Sequence, residues 1–102
     1  MTPESIGVRE LAARSDAVIL DVRGNPDDMR IPGSLRFDSD VLLEDPTLPA
    51  DIARDAVIAV YCGSGNTCRR VAAVLRERGY DARALEGGYR SWRDAALPLE
   101  PC

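Results

Sequence analysis

The chain lacks histidine and lysine. Without histidine, its own residues cannot form a Cys-His dyad, a Ser-His-Asp triad or a histidine-containing metal site. Any chemistry at a cysteine must therefore depend on backbone amides and arginine. All 13 positive charges are arginines, and 17 acidic residues outnumber them to give a net charge of -4. This balance argues against nucleic acid or an anionic membrane as a partner, since neither would be attracted by the summed field.

Cysteines are few, and long apolar runs are missing. Cysteines occur only at positions 62, 68 and 102, without a CxxC pair. This pattern favours neither a disulfide framework nor a zinc site, and we expect no metal and no cofactor. Residues 1–11 lack the apolar core of a signal peptide, and no run approaches the length that spans a membrane. We therefore expect a cytoplasmic protein with reduced thiols.

The length and the pattern of apolar residues predict one small α/β domain over residues 1–102, with a loose tail from about residue 97. Val57–Tyr61 is an unbroken apolar run that is typical of a strand buried on both faces of a parallel sheet. Further strands are predicted at residues 5–6, 17–22, 35–37 and 81–85. Helices are predicted at 7–14, 68–78 and 89–95, and short helical turns within 38–55. Strands that alternate with helices predict a mainly parallel sheet.

The loop Cys-Gly-Ser-Gly-Asn-Thr at residues 62–67 joins a predicted strand to a predicted helix. Its glycines at 63 and 65 allow a tight curl in which successive amides point inward, and the helix that follows directs its positive dipole end to the same place. Both features favour a thiolate, and such sites can lower the pKa of a cysteine to about 3.5 to 7.5. This pattern predicts that Cys62 is a nucleophile. The alternative is a small buried hydrophobic residue at a strand end.

An Asp-Val-Arg triplet ends the strand predicted at residues 17–22. In open α/β sheets, ligands bind at the carboxyl ends of the strands, so Asp21 and Arg23 are expected on the same edge as Cys62 if the strands are parallel. These two residues and Arg69 are candidates for support of the site. The Asp-Arg pair is equally consistent with an ion pair that holds a loop in place.

Four motifs in this order resemble the rhodanese homology domain of the sulfurtransferase family. They are DVR at 21–23, IPGS at 31–34, YCGSGNTC at 61–68 and LEGGYRSW at 85–92. The resemblance implies a five-stranded parallel sheet with helices on both faces and a catalytic cysteine at Cys62. It also implies sulfurtransferase activity. In this activity a sulfane sulfur is taken from a donor such as thiosulfate or a persulfide, held as a Cys62 persulfide, and passed to a thiol, a protein or cyanide.

The expected substrate-binding residues are those of the loop whose amides would surround the persulfide anion: Gly63, Ser64, Gly65, Asn66, Thr67 and Cys68. Two departures from the family pattern stand out. Met29-Arg30 replaces the Gly-His pair that is common before the IPG bend, and the segment after DVR is short. Late in the loop, where many members carry arginine or serine, this chain has Thr67 and Cys68, so a donor preference does not carry over.

Three other functions stay open at this point. A phosphatase or arsenate reductase of related fold needs C-x5-R, but Cys68 occupies the arginine position and Arg69 comes one residue late. A redox sensor would use Cys68, or less readily Cys102, to attack an oxidised or persulfidated Cys62. A non-catalytic binding module would keep the fold without the chemistry.

Overall fold

The computed structural model describes residues 3–63 and 66–102. In chain order the strands are β1 (Ser5–Ile6), β2 (Val18–Asp21), β3 (Met29–Arg30), β4 (Leu35–Arg36), β5 (Val57–Tyr61), β6 (Asp81–Leu85) and β7 (Glu100–Pro101). The helices are α1 (Val8–Ala12), α2 (Ser39–Glu44), α3 (Asn66–Glu77) and α4 (Gly88–Asp94). Within the described residues, five strands form one sheet in the order β1-β6-β5-β2-β4, and every pairing in it is parallel.

Strand β5 lies at the centre of the sheet, between β2 and β6. Its side chains alternate between two cores. Ile58 and Val60 pack with the buried residues of α2 and α3, whereas Ala59 and Tyr61 pack with those of α1 and α4. Apolar residues at every position are therefore required, because both faces are covered by helices. This arrangement confirms the three-layer α/β fold with a mainly parallel five-stranded sheet.

Helix α3 covers one face of the sheet through a regular apolar stripe. Cys68, Val71, Ala72 and Leu75 are buried, at the spacing of one helical face. The helix begins at Asn66, two residues before the predicted start. The prediction began later because the residues at 66 and 67 are polar and do not belong to the apolar stripe. It ends before Gly79, which adopts φ +91°, a conformation that glycine allows without steric cost.

The segment after residue 97 is ordered, so the prediction of a loose tail is wrong there. Strand β7 pairs in antiparallel fashion with β3, and the amide of Cys102 donates to the carbonyl oxygen of Asp28 over 2.9 Å. The indole N–H of Trp92 donates to the carbonyl oxygen of Pro98 over 2.8 Å. Neither β3 nor β7 was predicted, since strands of two residues carry no readable periodicity.

No helix among residues 3–63 and 66–102 is both long enough and apolar enough to cross a bilayer.

Candidate active site

Strands β2 and β5 bring the predicted site residues to one edge of the sheet. Asp21 is the register partner of Tyr61, and the amide of Val22 donates to the carbonyl oxygen of Tyr61 over 2.9 Å. Because the two strands are parallel, Cys62 and Arg23 both emerge from carboxyl ends of the sheet. The expectation that Asp21 and Arg23 share an edge with Cys62 is therefore confirmed.

Cys62 lies between the end of β5 and the first turn of α3. It is 5% exposed, so little of the residue is open to solvent. The backbone amide of Cys68 donates a hydrogen bond to Cys62 Sγ over 3.4 Å. An N–H from the first turn of a helix brings the positive end of the helix dipole with it, which stabilises an anion at that sulfur.

The side chain of Cys68 also interacts with Cys62. Its hydrogen bond to the Cys62 side chain raises the pKa of the Cys68 thiol well above its ordinary value, and burial and negative charge at Cys62 act in the same direction. Cys68 is completely buried. The second thiol therefore keeps its proton. The two cysteines form an unequal pair, in which Cys68 is the hydrogen-bond donor.

Helix α4 contacts the loop that begins at Cys62 from the other side. The amide of Tyr89 donates to the carbonyl oxygen of Cys62 over 2.7 Å, and the amide of Arg90 donates to that of Gly63 over 3.2 Å. These bonds engage two carbonyl oxygens whose partial negative charge would oppose an anion on Cys62 if they turned toward it. The Glu-Gly-Gly turn allows α4 to begin at this point, because Gly87 adopts φ +73° and Gly88 adopts φ +63°, which are conformations that glycine tolerates.

The remaining loop residues are placed as follows. Gly63 is exposed, Asn66 is exposed and Thr67 is half-buried. Ser64 and Gly65 lie outside the described residues. The structure describes the Cys68 amide as a donor to the sulfur, and the full ring of amides around Cys62 stays a prediction.

Arg23 and Asp21 form a buried ion pair. Arg23 Nε and Nη2 donate to the two carboxylate oxygens of Asp21 over 3.0 and 2.8 Å, and Nη2 also donates to the carbonyl oxygen of Met29 over 2.9 Å. Burial alone would raise the pKa of Asp21, but the hydrogen bonds and charge of Arg23 outweigh it and the pKa is lowered. Both groups are therefore charged. Their contacts favour the loop-holding role over direct substrate contact.

The IPGS motif supports the end of β5. The backbone amide of Ile31 lies 3.3 Å from the Tyr61 hydroxyl oxygen, to which it donates, and Ser34 Oγ lies 3.1 Å from the same oxygen. Burial raises the pKa of Tyr61 to about 12, although these hydrogen bonds act in the opposite direction. A neutral phenol thus anchors the residue that precedes Cys62.

A cleft of about 310 Å³ opens beside Gly63. Its described lining consists of Arg23, Asn25, Asp27, Gly63, Tyr89, Arg90 and Arg93. Sequence reasoning missed Arg90 and Arg93, because it assigned α4 a packing role through Tyr89 and Trp92. The signal was present in Gly-Tyr-Arg-Ser-Trp-Arg, where the two arginines are three residues apart and share one side of a helix.

Arg69 lies elsewhere. It lines a separate cavity of about 410 Å³ together with Arg76, Glu4 and Glu86. The structure does not bring it to the cleft beside Gly63, so its supporting role stays a prediction. Within residues 3–63 and 66–102, no cluster of three or more cysteine, aspartate or glutamate residues is arranged to hold a metal ion.

These features define an α/β domain with a cysteine at the strand-loop-helix junction of a parallel sheet. The model of the family described as the rhodanese-like domain matches residues 7–95. The chain therefore belongs to the rhodanese-like domain family. This result confirms the resemblance based on the four motifs.

Two curated relatives and one solved structure are informative. A protein named sulfurtransferase from Allochromatium vinosum is 28% identical over 99 residues, which cover 94% of this chain and 89% of that protein. Thiosulfate sulfurtransferase GlpE from Actinobacillus succinogenes is 40% identical over 47 residues, or 45% of this chain, and that match spans only 42% of the relative's length. A rhodanese-related protein from Thermoplasma volcanium is 24% identical with a TM-score of 0.79, covering 95% of this chain and 97% of that one, and shows the shared fold.

Proposed function

We propose that this protein is a sulfurtransferase that moves a sulfane sulfur from a donor such as thiosulfate, through a persulfide on Cys62, to a thiol or cyanide. The observation that carries the proposal is the hydrogen bond from the Cys68 amide to Cys62 Sγ at the N-terminal end of α3. It supports a sulfur anion at the edge of the sheet where ligands bind in open α/β folds. Two curated relatives are named as sulfurtransferases, which agrees with this proposal.

The donor half-reaction requires one nucleophile and one leaving group. The Cys62 thiolate attacks the outer sulfur of thiosulfate, a new S–S bond forms, and the old S–S bond breaks. Sulfite leaves with the bonding electron pair, and the outer sulfur stays on Cys62 as a persulfide anion. An acceptor thiolate then attacks that outer sulfur and releases Cys62 as a thiolate, whereas cyanide attacks to form thiocyanate. Neither step requires a general base, which suits a chain without histidine.

Preorganised donors supply the stabilisation in this mechanism. The Cys68 amide points at the sulfur, and the Cys68 side chain hydrogen-bonds to Cys62. In other enzymes, removal of one such donor costs about 3 to 4 kcal/mol in a barrier. The low exposure of Cys62 favours a donor or acceptor that presents a narrow sulfur atom or the rod-shaped cyanide ion.

The structure offers little support for a phosphatase. That chemistry needs an arginine at position 68 to hold phosphate, and the chain has a cysteine there that is completely buried. We therefore expect no turnover of p-nitrophenyl phosphate that depends on Cys62. Such turnover, abolished by Cys62→Ser, would replace the sulfurtransferase proposal.

The direct test is sulfite release from thiosulfate with cyanide as acceptor. Cys62→Ala should reduce the rate to the background without enzyme. Cys102→Ser is the matched control, because it also removes one thiol, and it should retain the activity. Equal activity in Cys62→Ala and the wild type would refute a Cys62 persulfide.

A further inference from the structure

The cleft beside Gly63 is positively charged although the protein is acidic. Among the described residues, Arg23, Arg90, Arg93 and Asp27 are the charged groups that line it, while the whole chain carries a net charge of -4. Arg23 and Asp27 are paired with each other over 3.3 Å. The charge that remains for a ligand therefore comes from the two arginines of α4.

These two arginines have few partners within the protein. Arg90 is exposed and forms no ion pair with any of the described residues. Arg93 has a side chain that is 55% exposed, and its ion pair with the adjacent Asp94 is at the 4.0 Å limit. An exposed ion pair of this kind contributes little. Both guanidinium groups are thus available to bind an anion from solution.

The position of the arginines ties them to the catalytic loop. The amide of Arg90 donates to the carbonyl oxygen of Gly63, the residue next to Cys62. Arg93 follows three residues later, about 4.5 Å farther along the helix axis. The two cations therefore extend from the edge of the loop along one wall of the cleft.

The cleft is larger than the sulfur donor requires. Its volume of about 310 Å³ lies at the lower end of the range typical of small organic ligands, of roughly 300 to 1,000 Å³. Thiosulfate is a much smaller ion. The lining includes Gly63, the residue next to Cys62, so an acceptor whose thiol reaches Cys62 has space to extend along this wall. Arginine binds planar carboxylates through two parallel hydrogen bonds.

We propose that Arg90 and Arg93 bind the carboxylates of the sulfur acceptor, which is a small thiol with at least two acidic groups. This inference rests on the proposed sulfur transfer at Cys62. The acceptor thiolate attacks the outer sulfur of the Cys62 persulfide and forms a new S–S bond. The bond between that sulfur and Cys62 breaks, and Cys62 leaves as a thiolate.

A transfer experiment separates the acceptor from the donor. Protein preloaded with thiosulfate is mixed with glutathione, which has two carboxylates, or with cysteamine, which has none. Arg90→Ala and Arg93→Ala should each lower the second-order rate constant for glutathione about tenfold or more, because each removes a charged hydrogen-bonding partner. The rate constant for cysteamine should not fall, because cysteamine has no carboxylate and its ammonium group is repelled by the arginines. Arg78→Ala is the matched control, because Arg78 is exposed, lies beyond the C-terminal end of α3, and carries the same charge.

Three results would overturn the proposal. The first is an equal loss for glutathione and cysteamine, and the second is an unchanged rate with glutathione. The third is a loss in thiosulfate loading with normal discharge to glutathione, which would assign the arginines to the donor.

A binding measurement tests the inference without sulfur transfer. S-methylglutathione keeps both carboxylates but has no reactive thiol, and calorimetry with the unloaded protein reports its affinity. Wild type and Arg78→Ala should bind it equally, and Arg90→Ala and Arg93→Ala should bind about tenfold more weakly. Absent binding to the wild type, or equal binding to all four proteins, would overturn the acceptor site. Failure of the protein to load sulfur from thiosulfate would instead count against the proposed function.

Discussion

The backbone amide of Tyr89 donates a 2.7 Å hydrogen bond to the carbonyl oxygen of Cys62. This bond joins the last family motif to the loop that begins at Cys62. The ring of Tyr89 also stacks on that of Tyr61 with 6.2 Å between centroids, and the Arg23 guanidinium lies 4.4 Å from the Tyr89 ring centroid. The triplet at the end of β2, the loop after β5 and the start of α4 therefore hold one another in place.

The geometry at Gly87 makes the start of α4 sensitive to a single methyl group. A Cβ at this position would lie 1.8 Å from Ser91 Oγ and 2.7 Å from Ser91 Cβ, and the backbone has φ +73°. The left-handed conformation alone costs a residue with a side chain about 1 to 2 kcal/mol. We expect Gly87→Ala to lower the free energy of unfolding by more than this amount, and to slow sulfite release because the amides of Tyr89 and Arg90 shift. Urea denaturation and the sulfite assay measure the two effects.

Gly33 provides the control for this prediction. It also has a positive φ, of +78°, but a Cβ there meets no atom within 4 Å. Gly33→Ala should therefore show the conformational cost alone. Equal losses of stability in the two variants would mean that the contact with Ser91 has no energetic importance.

Loss of Arg23 should be strongly destabilising. Asp21 and Arg23 are almost completely buried, and Arg23→Met would leave the carboxylate without its main partner. Removal of one member of a buried ion pair typically costs about 3 to 5 kcal/mol. The double variant Asp21→Asn/Arg23→Met should lose less, because no buried unpaired charge remains; the other partners of the pair, Asp27 and Arg36, are both about half exposed to solvent. Urea denaturation of both variants measures the difference, and a double variant less stable than Arg23→Met would contradict this account.

The same pair predicts how stability depends on pH. The folded-state pKa of Asp21 is lowered, so its contribution is present above the ordinary carboxylate pKa of about 3.9 and is lost as the pH falls through the folded value. Wild type should therefore lose stability as the pH falls below about 4. Asp21→Asn/Arg23→Met should show a smaller change over the same interval in urea titrations. Parallel curves for the two proteins would show that other carboxylates dominate acid unfolding.

Cys68 should be the least reactive thiol in the protein. Its hydrogen bond to Cys62, together with burial, raises the pKa of Cys68, so it remains protonated at a pH where an ordinary thiol of pKa about 8.5 ionises. Iodoacetamide at about pH 8.5 should modify the exposed Cys102 readily and leave Cys68 unmodified. Peptide mass mapping measures the extent of alkylation at each cysteine. Labelling of Cys68 at the rate of Cys102 would contradict the assigned role.

The state of the cysteine pair also bears on the redox alternative. A protonated, buried Cys68 is a poor nucleophile toward oxidised Cys62. We expect that mild peroxide treatment produces no Cys62–Cys68 disulfide, whereas Cys68→Ser keeps sulfurtransferase activity because its hydroxyl still donates a hydrogen bond. Non-reducing peptide mass analysis is the measurement. A stoichiometric crosslink would favour the sensor.

Much of the fold was predictable because its central strands carry strong local signals. The bounds of β5 and β6 match the predictions. Strand β5 is a continuous apolar run, and β6 follows the glycine that ends α3. The strands β3 and β7 were missed because their pairing depends on contacts between distant parts of the chain. The ion pair of Arg30 with Glu100, at 3.4 Å, is one such contact, and no pattern within either segment indicates it.

The candidate site was predictable in its position but not in its full lining. Placement of Asp21 and Cys62 follows from two parallel strands that end at one edge. The placement of Arg90 and Arg93 depends on the direction in which α4 leaves the turn at Gly87, which is a tertiary property. Apolar periodicity therefore identified the packing face of α4 and missed the side that lines the cleft.

The most direct test of the central claim is the intact mass of the protein after incubation with thiosulfate under non-reducing conditions and removal of excess donor. The wild type should gain the mass of one sulfur atom, and cyanide should remove it. Cys102→Ser should gain the same mass, and Cys62→Ala should gain none. A wild type that stays unmodified, or a gain that persists in Cys62→Ala, would contradict sulfur transfer through Cys62.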